Sequence, residues 1–400
     1  MRSGFRIGKI FGINVRIDWS WLVIFFLTSW NLAAELANLH GTWSPVLRWG
    51  LAISGSLLFF LSVLAHELAH SLVAQSRGMN VRSIRLHLFG GVSNIQREPD
   101  SPGAEFVMAI LGPVTSLVIG GALLLVIGLT TQVGALDSPR EALRQLNPAV
   151  TILAWLGSVN LILGVFNLIP GFPLDGGRVL RSIIWAITGN LRVATRWASW
   201  TGQGIAWLMI FGGIASVFGV SVPLVGGGGI SGLWLAFIGW FLHNAAVQSY
   251  RQLVVRDALD DVPVSEVMRK NPPTISPDQT VATLVQDYIM QTDDYGFPVV
   301  EEEHLVGIVT LEDVRSISRQ EWDITSVREI MTPEEDLVTM TPDDSAATAL
   351  EQLAGRDVRQ LPVLQDENLV GLVRRRDIVK WLRLQSDSDI GGLQATRSRV

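Results

Sequence analysis

Long runs of uncharged, mostly apolar residues alternate with short charged segments over the first 250 residues. The runs cover 19–34, 49–65, 106–129, 145–174 and 197–250, and the last run divides at a proline- and glycine-rich stretch. About 20 apolar residues are enough for a helix to cross the hydrocarbon core of a bilayer. We therefore predict six transmembrane helices.

Two shorter stretches have the alternating pattern of β-strands. Residues 5–18 alternate around Gly12, which predicts an amphipathic hairpin before the first span. Residues 83–95 alternate until the pair Gly90 and Gly91 and are too short to cross a membrane. We predict a small β-sheet associated with the membrane helices.

The composition supports an integral membrane protein. The chain is 48% hydrophobic and 17% charged, with a mean hydropathy of +0.34, which is too apolar for a soluble enzyme of this size. It has no cysteine, so any metal must be held by nitrogen and oxygen ligands. The net charge of −6 gives no indication of a nucleic-acid partner. No small-residue cleavage site follows the basic N-terminus, so the first span is predicted to be retained.

Lysine and arginine predict the orientation in the bilayer. With six spans, one side of the membrane receives only Arg48, Arg140 and Arg144, whereas the other receives most of the remaining basic residues of this half. The positive-inside rule then predicts a multi-pass protein of the cell (inner) membrane with cytoplasmic N- and C-termini.

The second apolar run leads into the sequence HELAH, residues 66–70. His66 and His70 are four positions apart and share one helix face, which allows both imidazoles to reach one zinc ion. Glu67 points about 100° away around the helix, which suits a carboxylate that takes a proton from water. The motif lies on a segment that is apolar enough to cross a bilayer, so the chemistry is predicted to take place inside the membrane.

A zinc hydrolase site needs a third protein ligand. The candidates in this sequence are Asp175, His87, Glu98, Asp100 and Glu105. Asp175 is favoured because it ends the fourth span, where prolines and glycines break the helix, and broken backbone at membrane depth is tolerated where it lines a cavity.

Small and polar residues recur on one face of the fourth span, at Gly157, Asn160, Gly164 and Asn167. Close helix packing explains the first three best. Asn167 lies eight residues before Asp175, near enough to donate its amide to a developing oxyanion, so it is a candidate catalytic residue.

The chain up to about residue 250 resembles the site-2 protease family of intramembrane zinc metallopeptidases. The resemblance rests on FGINVRIDWSW near the N-terminus, HELAH, the Gly112–Pro113 pair and NLIPGFPLDGG at 167–177. It implies one zinc ion per chain held by His66, His70 and Asp175, with Glu67 activating water. It also implies a lipid-embedded enzyme whose β-sheet holds an extended stretch of a single-pass membrane protein, such as an anti-sigma factor or a tethered regulator.

The remainder of the chain contains an internal repeat. VSEVM at 264–268 and VREIM at 327–331 open two similar units with equivalent positions 63 or 64 residues apart. The repeat resembles a tandem pair of cystathionine-β-synthase (CBS) domains over about 260–383. The resemblance implies a pseudo-symmetric α/β module that forms homodimers and, in many members, binds adenosine nucleotides.

The nucleotide-binding pattern of such modules is present unevenly. In the first unit Thr310 and Asp313 match the positions that contact phosphate and ribose, together with Gly307. In the second unit Asp377 is retained, but Arg374 replaces the hydroxyl residue. One competent cleft is therefore predicted, and a dimerisation or gating cap without a ligand remains the alternative.

These features predict an α-helical polytopic membrane domain at 1–255, CBS domains at 256–322 and 323–385, and a polar tail at 386–400 that its composition predicts to be disordered. The predicted activity is an intramembrane zinc endopeptidase of regulated intramembrane proteolysis, modulated by the cytoplasmic CBS pair. The alternatives are a CBS-regulated transporter or channel and an inactive membrane scaffold.

Overall fold

The structure is a computed structural model of the 400-residue chain, described here for residues 4–88, 90–95, 99–130, 146–220, 229–355 and 358–385. The chain divides into two compact units, Met1–Arg251 and Gln252–Val400. Each unit is described by itself. The predicted polar tail, Glu98, Arg140 and Arg144 lie outside the described residues.

A four-stranded sheet forms one side of the first unit. Its strands follow the order β1-β2-β3-β4 and are Phe5–Ile10, Ile13–Ile17, Val81–His87 and Gly90–Ile95. The two hairpins are antiparallel, and β2 pairs in parallel with β3. The first hairpin occurs where the alternating pattern predicted it. Residues 83–95, predicted to be strand-like up to Gly90 and Gly91, form the second hairpin. Ile13 and Ile84 bury the inner face of the sheet against Ala74.

Four helices of the first unit are long and apolar enough to cross a membrane, among the residues that the structure describes. They are α1, α2, α3 and α4, with the bounds Ser20–Leu39, Pro45–Ser76, Pro102–Thr130 and Pro148–Asn167. Helices α2 and α4 begin at a proline, and each is capped by the side chain before it, Ser44 or Asn147. These helices coincide with the first four predicted spans.

Three further helices complete this part of the chain: α5, α6 and α7, with the bounds Asp175–Thr188, Leu191–Val217 and Gly229–Asp260. The fifth and sixth predicted spans fall on α6 and α7, which are not among the four helices that meet the apolarity requirement. Both carry charged residues at one end together with tryptophans and glycines, which lower their mean hydropathy.

Small residues bring α3 and α4 close together. A Cβ built on Gly157 would lie 2.9 Å from Leu124, and one built on Gly164 would lie 2.7 Å from Leu117. Both distances are shorter than an ordinary carbon–carbon contact of about 3.5–4.0 Å. The glycines of the fourth span therefore allow close helix packing, as their spacing predicted. This packing holds α3 in place beside α4, and α3 also packs against α2.

The second unit is an α/β module with a six-stranded sheet. Its strands β5 to β10 are Arg269–Lys270, Gly296–Glu301, His304–Thr310, Thr332–Pro333, Gln360–Gln365 and Asn368–Arg374. Helices α8 to α12 are Val264–Val267, Val281–Thr283, Leu311–Arg315, Val327–Ile330 and Ala346–Gly355, and α13 covers 375–385.

The two sequence repeats exchange their first segments. Strand β5 pairs with β10, and β8 pairs with β7, so each repeat completes the sheet of the other. The cores follow the same exchange, because Val264 packs with Val363 and Val373 whereas Val327 packs with Val299 and Val309. This exchange makes the pair a single module.

Candidate metal centre

Two buried histidines of α2 form the base of the candidate metal centre. His66 and His70 are 4% and 5% exposed, on a helix whose preceding residues are mostly apolar. Their Nε2 atoms lie 3.2 Å apart. The spacing of four residues thus brings the two imidazoles together as the helix geometry requires.

Asp175 reaches the same point from the first residue of α5. Its Oδ2 lies 3.0 Å from His66 Nε2 and 3.2 Å from His70 Nε2. The turn that places it is tight, because a Cβ on Gly176 or Gly177 would overlap the backbone of the preceding loop. This explains why glycines follow the aspartate directly.

The three side chains, hereafter the His–His–Asp cluster, fit a zinc ion. Their ligand atoms all lie within 4.8 Å of one another. Zinc with nitrogen and oxygen ligands at about 2.0–2.1 Å in tetrahedral geometry requires ligand atoms about 3.3 Å apart. The observed separations of 3.0–3.2 Å agree closely with that requirement, and the cluster leaves the fourth ligand position to water or substrate.

The outer nitrogens of both histidines are engaged by α3. His70 Nδ1 donates to the Met108 carbonyl over 2.6 Å, and His66 Nδ1 is 2.9 Å from Ser116 Oγ. The Met108 contact places the proton of His70 on Nδ1 and leaves its Nε2 with a lone pair for a metal, and the Ser116 hydroxyl can accept from His66 Nδ1 to give the same arrangement there. Neither Met108 nor Ser116 was predicted, because a main-chain carbonyl and a lone serine carry no recognisable sequence signal.

Gly112 lets α3 approach the histidines. A Cβ at this position would lie 2.7 Å from His66 Nε2 and would overlap His70 Nε2. The lack of a side chain at Gly112 therefore makes room for the two imidazoles. Ser116 in the same GPVTS sequence provides the hydrogen bond to His66.

The other third-ligand candidates lie elsewhere. Among the described residues, His87 is half-buried at the end of β3 and Asp100 is exposed, and neither belongs to the cluster. Glu105 is fully buried, but its Oε1 accepts from Arg181 Nε over 2.7 Å. This ion pair ties the start of α3 to α5, the helix that carries Asp175.

Glu67, the candidate general base, lies against β4. Its Oε2 accepts a hydrogen bond of 2.8 Å from Ser93 Oγ, and a Cβ on Gly91 would lie 2.9 Å from its Cδ. Asn167, the other candidate catalytic residue, is the last residue of α4, and its amide donates to the Leu163 carbonyl over 3.0 Å.

In the second unit, a cavity of about 660 Å³ is lined by Thr310, Asp313, Tyr295 and Arg359. The threonine and the aspartate also bond to each other, since Thr310 Oγ1 donates to Asp313 Oδ2 over 2.7 Å and caps α10. The positions predicted for the first nucleotide cleft therefore do line an open pocket.

The equivalent positions of the second repeat are occupied by ion pairs. Arg374 binds Asp377 through two hydrogen bonds of 2.6 and 2.9 Å and also pairs with the buried Asp294. Arg269 and Arg376 reach Asp294 as well, each over 2.5 Å. Burial acts to lower the pKa of Arg374, but its carboxylate partners raise it above the ordinary value, so Arg374 stays charged.

Comparison with known proteins agrees with both parts of the chain. The model of peptidase family M50 matches residues 54–211, and the CBS domain model matches 264–319 and 327–384. Rip3 of Mycobacterium tuberculosis, named as a zinc metalloprotease, is 33% identical over 384 residues, covering 96% of this chain and 93% of Rip3. The zinc metalloprotease sll0528 of Synechocystis is 33% identical over 386 residues, covering 96% of each chain. The solved site-2 protease of Methanocaldococcus jannaschii is 27% identical and covers 62% of this chain and 95% of that one, with a TM-score of 0.40.

Fold and site together define a membrane-embedded zinc metalloprotease with a C-terminal CBS module. The chain belongs to peptidase family M50, the site-2 proteases, with a tandem CBS pair at its C-terminal end. The alternative of a CBS-regulated transporter is not favoured.

Proposed function

We propose that the His–His–Asp cluster holds one zinc ion and that Glu67 is the general base for hydrolysis of peptide bonds in membrane-spanning proteins. One observation carries the proposal. The ligand atoms of His66, His70 and Asp175 lie 3.0–3.2 Å from one another. Asp175 on α5 is nevertheless 109 and 105 positions away from the two histidines of α2 in the chain. A partly buried carboxylate beside two buried imidazoles is the donor set of a catalytic zinc site.

The chain's own residues divide the work of hydrolysis. Zinc, when bound, acidifies a water molecule and polarises the scissile carbonyl. Glu67 takes the proton of that water and returns it to the leaving amine. Asn167 is proposed to donate one N–H of its amide to the developing oxyanion, while the other N–H keeps its bond to the Leu163 carbonyl.

We further propose six membrane spans, with α6 and α7 as the fifth and sixth and with both termini on the cytoplasmic side of the cell (inner) membrane. Support comes from the exposed apolar surface of these helices, which includes Trp200, Trp207, Trp234 and Trp240. Tryptophans on lipid-facing helices are typical of membrane interfaces. The few basic residues on the opposite side, Arg48 among them, support the orientation.

The substrate class follows from the depth of the site. We propose a single-pass membrane protein, such as an anti-sigma factor or a membrane-tethered regulator, as the physiological substrate. A helical peptide bond is shielded, so the substrate must become extended before attack. Strand β4 stands at the end of the sheet order, where an extended segment would add as a further strand by backbone hydrogen bonds.

The CBS pair is proposed to modulate this activity by binding one adenosine nucleotide, in the cavity lined by Thr310 and Asp313. Its second cleft is proposed to stay empty because Arg374 already neutralises Asp377. We also propose homodimer formation through this module, with the domain boundaries at 255/256, 322/323 and 385/386 as expected from the sequence.

The deciding experiment compares wild type with Glu67→Gln, reconstituted in proteoliposomes. The substrate is a doubly tagged single-pass protein in the same vesicles. Glu67→Gln is expected to fold and to bind zinc like wild type, yet not to cleave this substrate. Cleavage at the wild-type rate by this variant would refute the assignment of Glu67.

A further inference from the structure

The Glu67 carboxylate is held by a side chain of the sheet. Ser93 of β4 donates its hydroxyl proton to Glu67 Oε2 over 2.8 Å, and its oxygen is also 3.4 Å from the Glu67 carbonyl. The two residues are 26 positions apart. The contact therefore depends on the way β4 folds back onto α2.

A second hydroxyl orients the first. Ser71 is fully buried one helical turn after Glu67, and its Oγ is 3.0 Å from Ser93 Oγ. A hydroxyl has one proton, and an ionised carboxylate only accepts. Because the Ser93 proton is committed to Glu67, Ser71 must donate to Ser93, and the resulting chain of hydrogen bonds runs in one direction and ends on the carboxylate.

The backbone of β4 confines the same carboxylate. Gly91 precedes Ser93 by two positions and therefore faces the same side of the strand. A Cβ on Gly91 would lie 2.9 Å from Glu67 Cδ, so the strand is in direct contact with the carboxylate. Ser93 bonds to Oε2, which leaves Oε1 as the oxygen proposed to take the proton of water.

Strand β4 also stands at the end of the sheet order β1-β2-β3-β4, the position at which an extended substrate is proposed to pair. One strand thus carries both the substrate-pairing edge and the hydroxyl that orients Glu67. An added strand that orders β4 would at the same time fix the direction of the Glu67 carboxylate.

We propose that Ser93 is a positioning residue for Glu67, which couples the order of β4 to the rate of the hydrolytic step. This inference rests on the proposed role of Glu67 as the general base. It does not require Ser93 to contact the metal or the scissile bond.

The test compares Ser93→Thr with Ser93→Val, two variants of nearly equal shape that differ in the hydroxyl. Both β-branched residues are compatible with a strand, so neither is expected to disturb β4. Ser76→Ala, which removes an exposed hydroxyl bonded to Val73 at the end of α2, is the matched control. The measurements are kcat and KM with the tagged single-pass protein and the zinc content of each purified variant.

Ser93→Val is expected to keep wild-type zinc content and a KM within about twofold of wild type, while kcat falls by about 10–100-fold, the rate that a misplaced catalytic group loses. Ser93→Thr is expected to regain most of the lost kcat, and Ser76→Ala to match wild type. A purely structural role would affect the threonine and valine variants alike.

Equal kcat values for the threonine and valine variants, whether both high or both low, would overturn the inference. A Ser93→Val enzyme that loses its zinc would overturn it too. If Glu67→Gln is inactive while Ser93→Val is fully active, only the role of Ser93 fails. If Glu67→Gln itself remains active, the proposed function fails first.

Discussion

Gly112→Ala tests the metal centre by adding a single methyl group. A Cβ at this position would lie 2.7 Å from His66 Nε2 and would overlap His70 Nε2. Comfortable non-bonded contacts require about 3.5 Å, so the rings or α3 must shift by about 1 Å. A displacement of this size at an active site lowers the reaction rate by about 100-fold. We therefore expect zinc affinity to fall by at least about 10–100-fold.

The same helix offers the control. Gly121 also lies in α3, but a Cβ there meets no atom within 4 Å. Gly121→Ala should leave zinc affinity unchanged and stabilise the helix by about 0.5–1 kcal/mol. Competition with a chromophoric zinc chelator measures the affinity, and thermal unfolding of the metal-free proteins shows that each is folded. Wild-type zinc affinity in Gly112→Ala would refute the close approach of α3 to the two imidazoles.

Three further predictions concern the ion pair, the metal and the CBS cleft. Arg181→Leu leaves the fully buried Glu105 without its main partner and should lower the free energy of unfolding by about 3–5 kcal/mol in detergent unfolding titrations. The double variant with Glu105→Leu should recover most of the lost stability. Wild-type stability of Arg181→Leu would contradict this prediction. Chelation should abolish cleavage of the tagged single-pass protein, and added zinc should restore it; cleavage by the chelated enzyme would exclude a zinc mechanism. Asp313→Ala should abolish the calorimetric signal of ATP or AMP binding and Asp377→Ala should not; the reverse result would assign the ligand to the second cleft.

The membrane helices could be predicted because a transmembrane span requires a continuous stretch of uncharged, mostly apolar residues. Absence of charge over 106–129 and 145–174 was sufficient to predict α3 and α4. The charge-free stretch after residue 197 predicted helices at α6 and α7, but its tryptophans and glycines leave the hydropathy of both helices below that of the first four. Crossing by these two helices therefore stays a prediction.

The metal site could be predicted only as far as local geometry reaches. The pair His66 and His70 is a consequence of helical periodicity, whereas Asp175 was favoured from the break in the helix around it. Its convergence with the two histidines depends on packing among α2, α3 and α5. The contacts of Ser116 with His66 and of Ser93 with Glu67 could not be predicted. The partners are 50 and 26 positions apart in the chain, too far for helix or strand periodicity to relate them.

The CBS half illustrates a similar limit. The repeat of 63 or 64 residues and the substitution of Arg374 are visible in the sequence, and they predicted two unequal clefts. The exchange of β5 and β8 between the repeats is not visible, because each strand has only two residues. Asp294, which joins three arginines, was not predicted either, since it lies 80 positions from Arg374.

The most direct test of the central claim is X-ray diffraction from crystals of the zinc-loaded enzyme at energies above and below the zinc absorption edge. The account predicts one anomalous peak per chain in the first unit, within about 2.0–2.2 Å of His66 Nε2, His70 Nε2 and a carboxylate oxygen of Asp175. A fully active enzyme whose zinc peak lies away from these three side chains, or that shows no such peak, would contradict it.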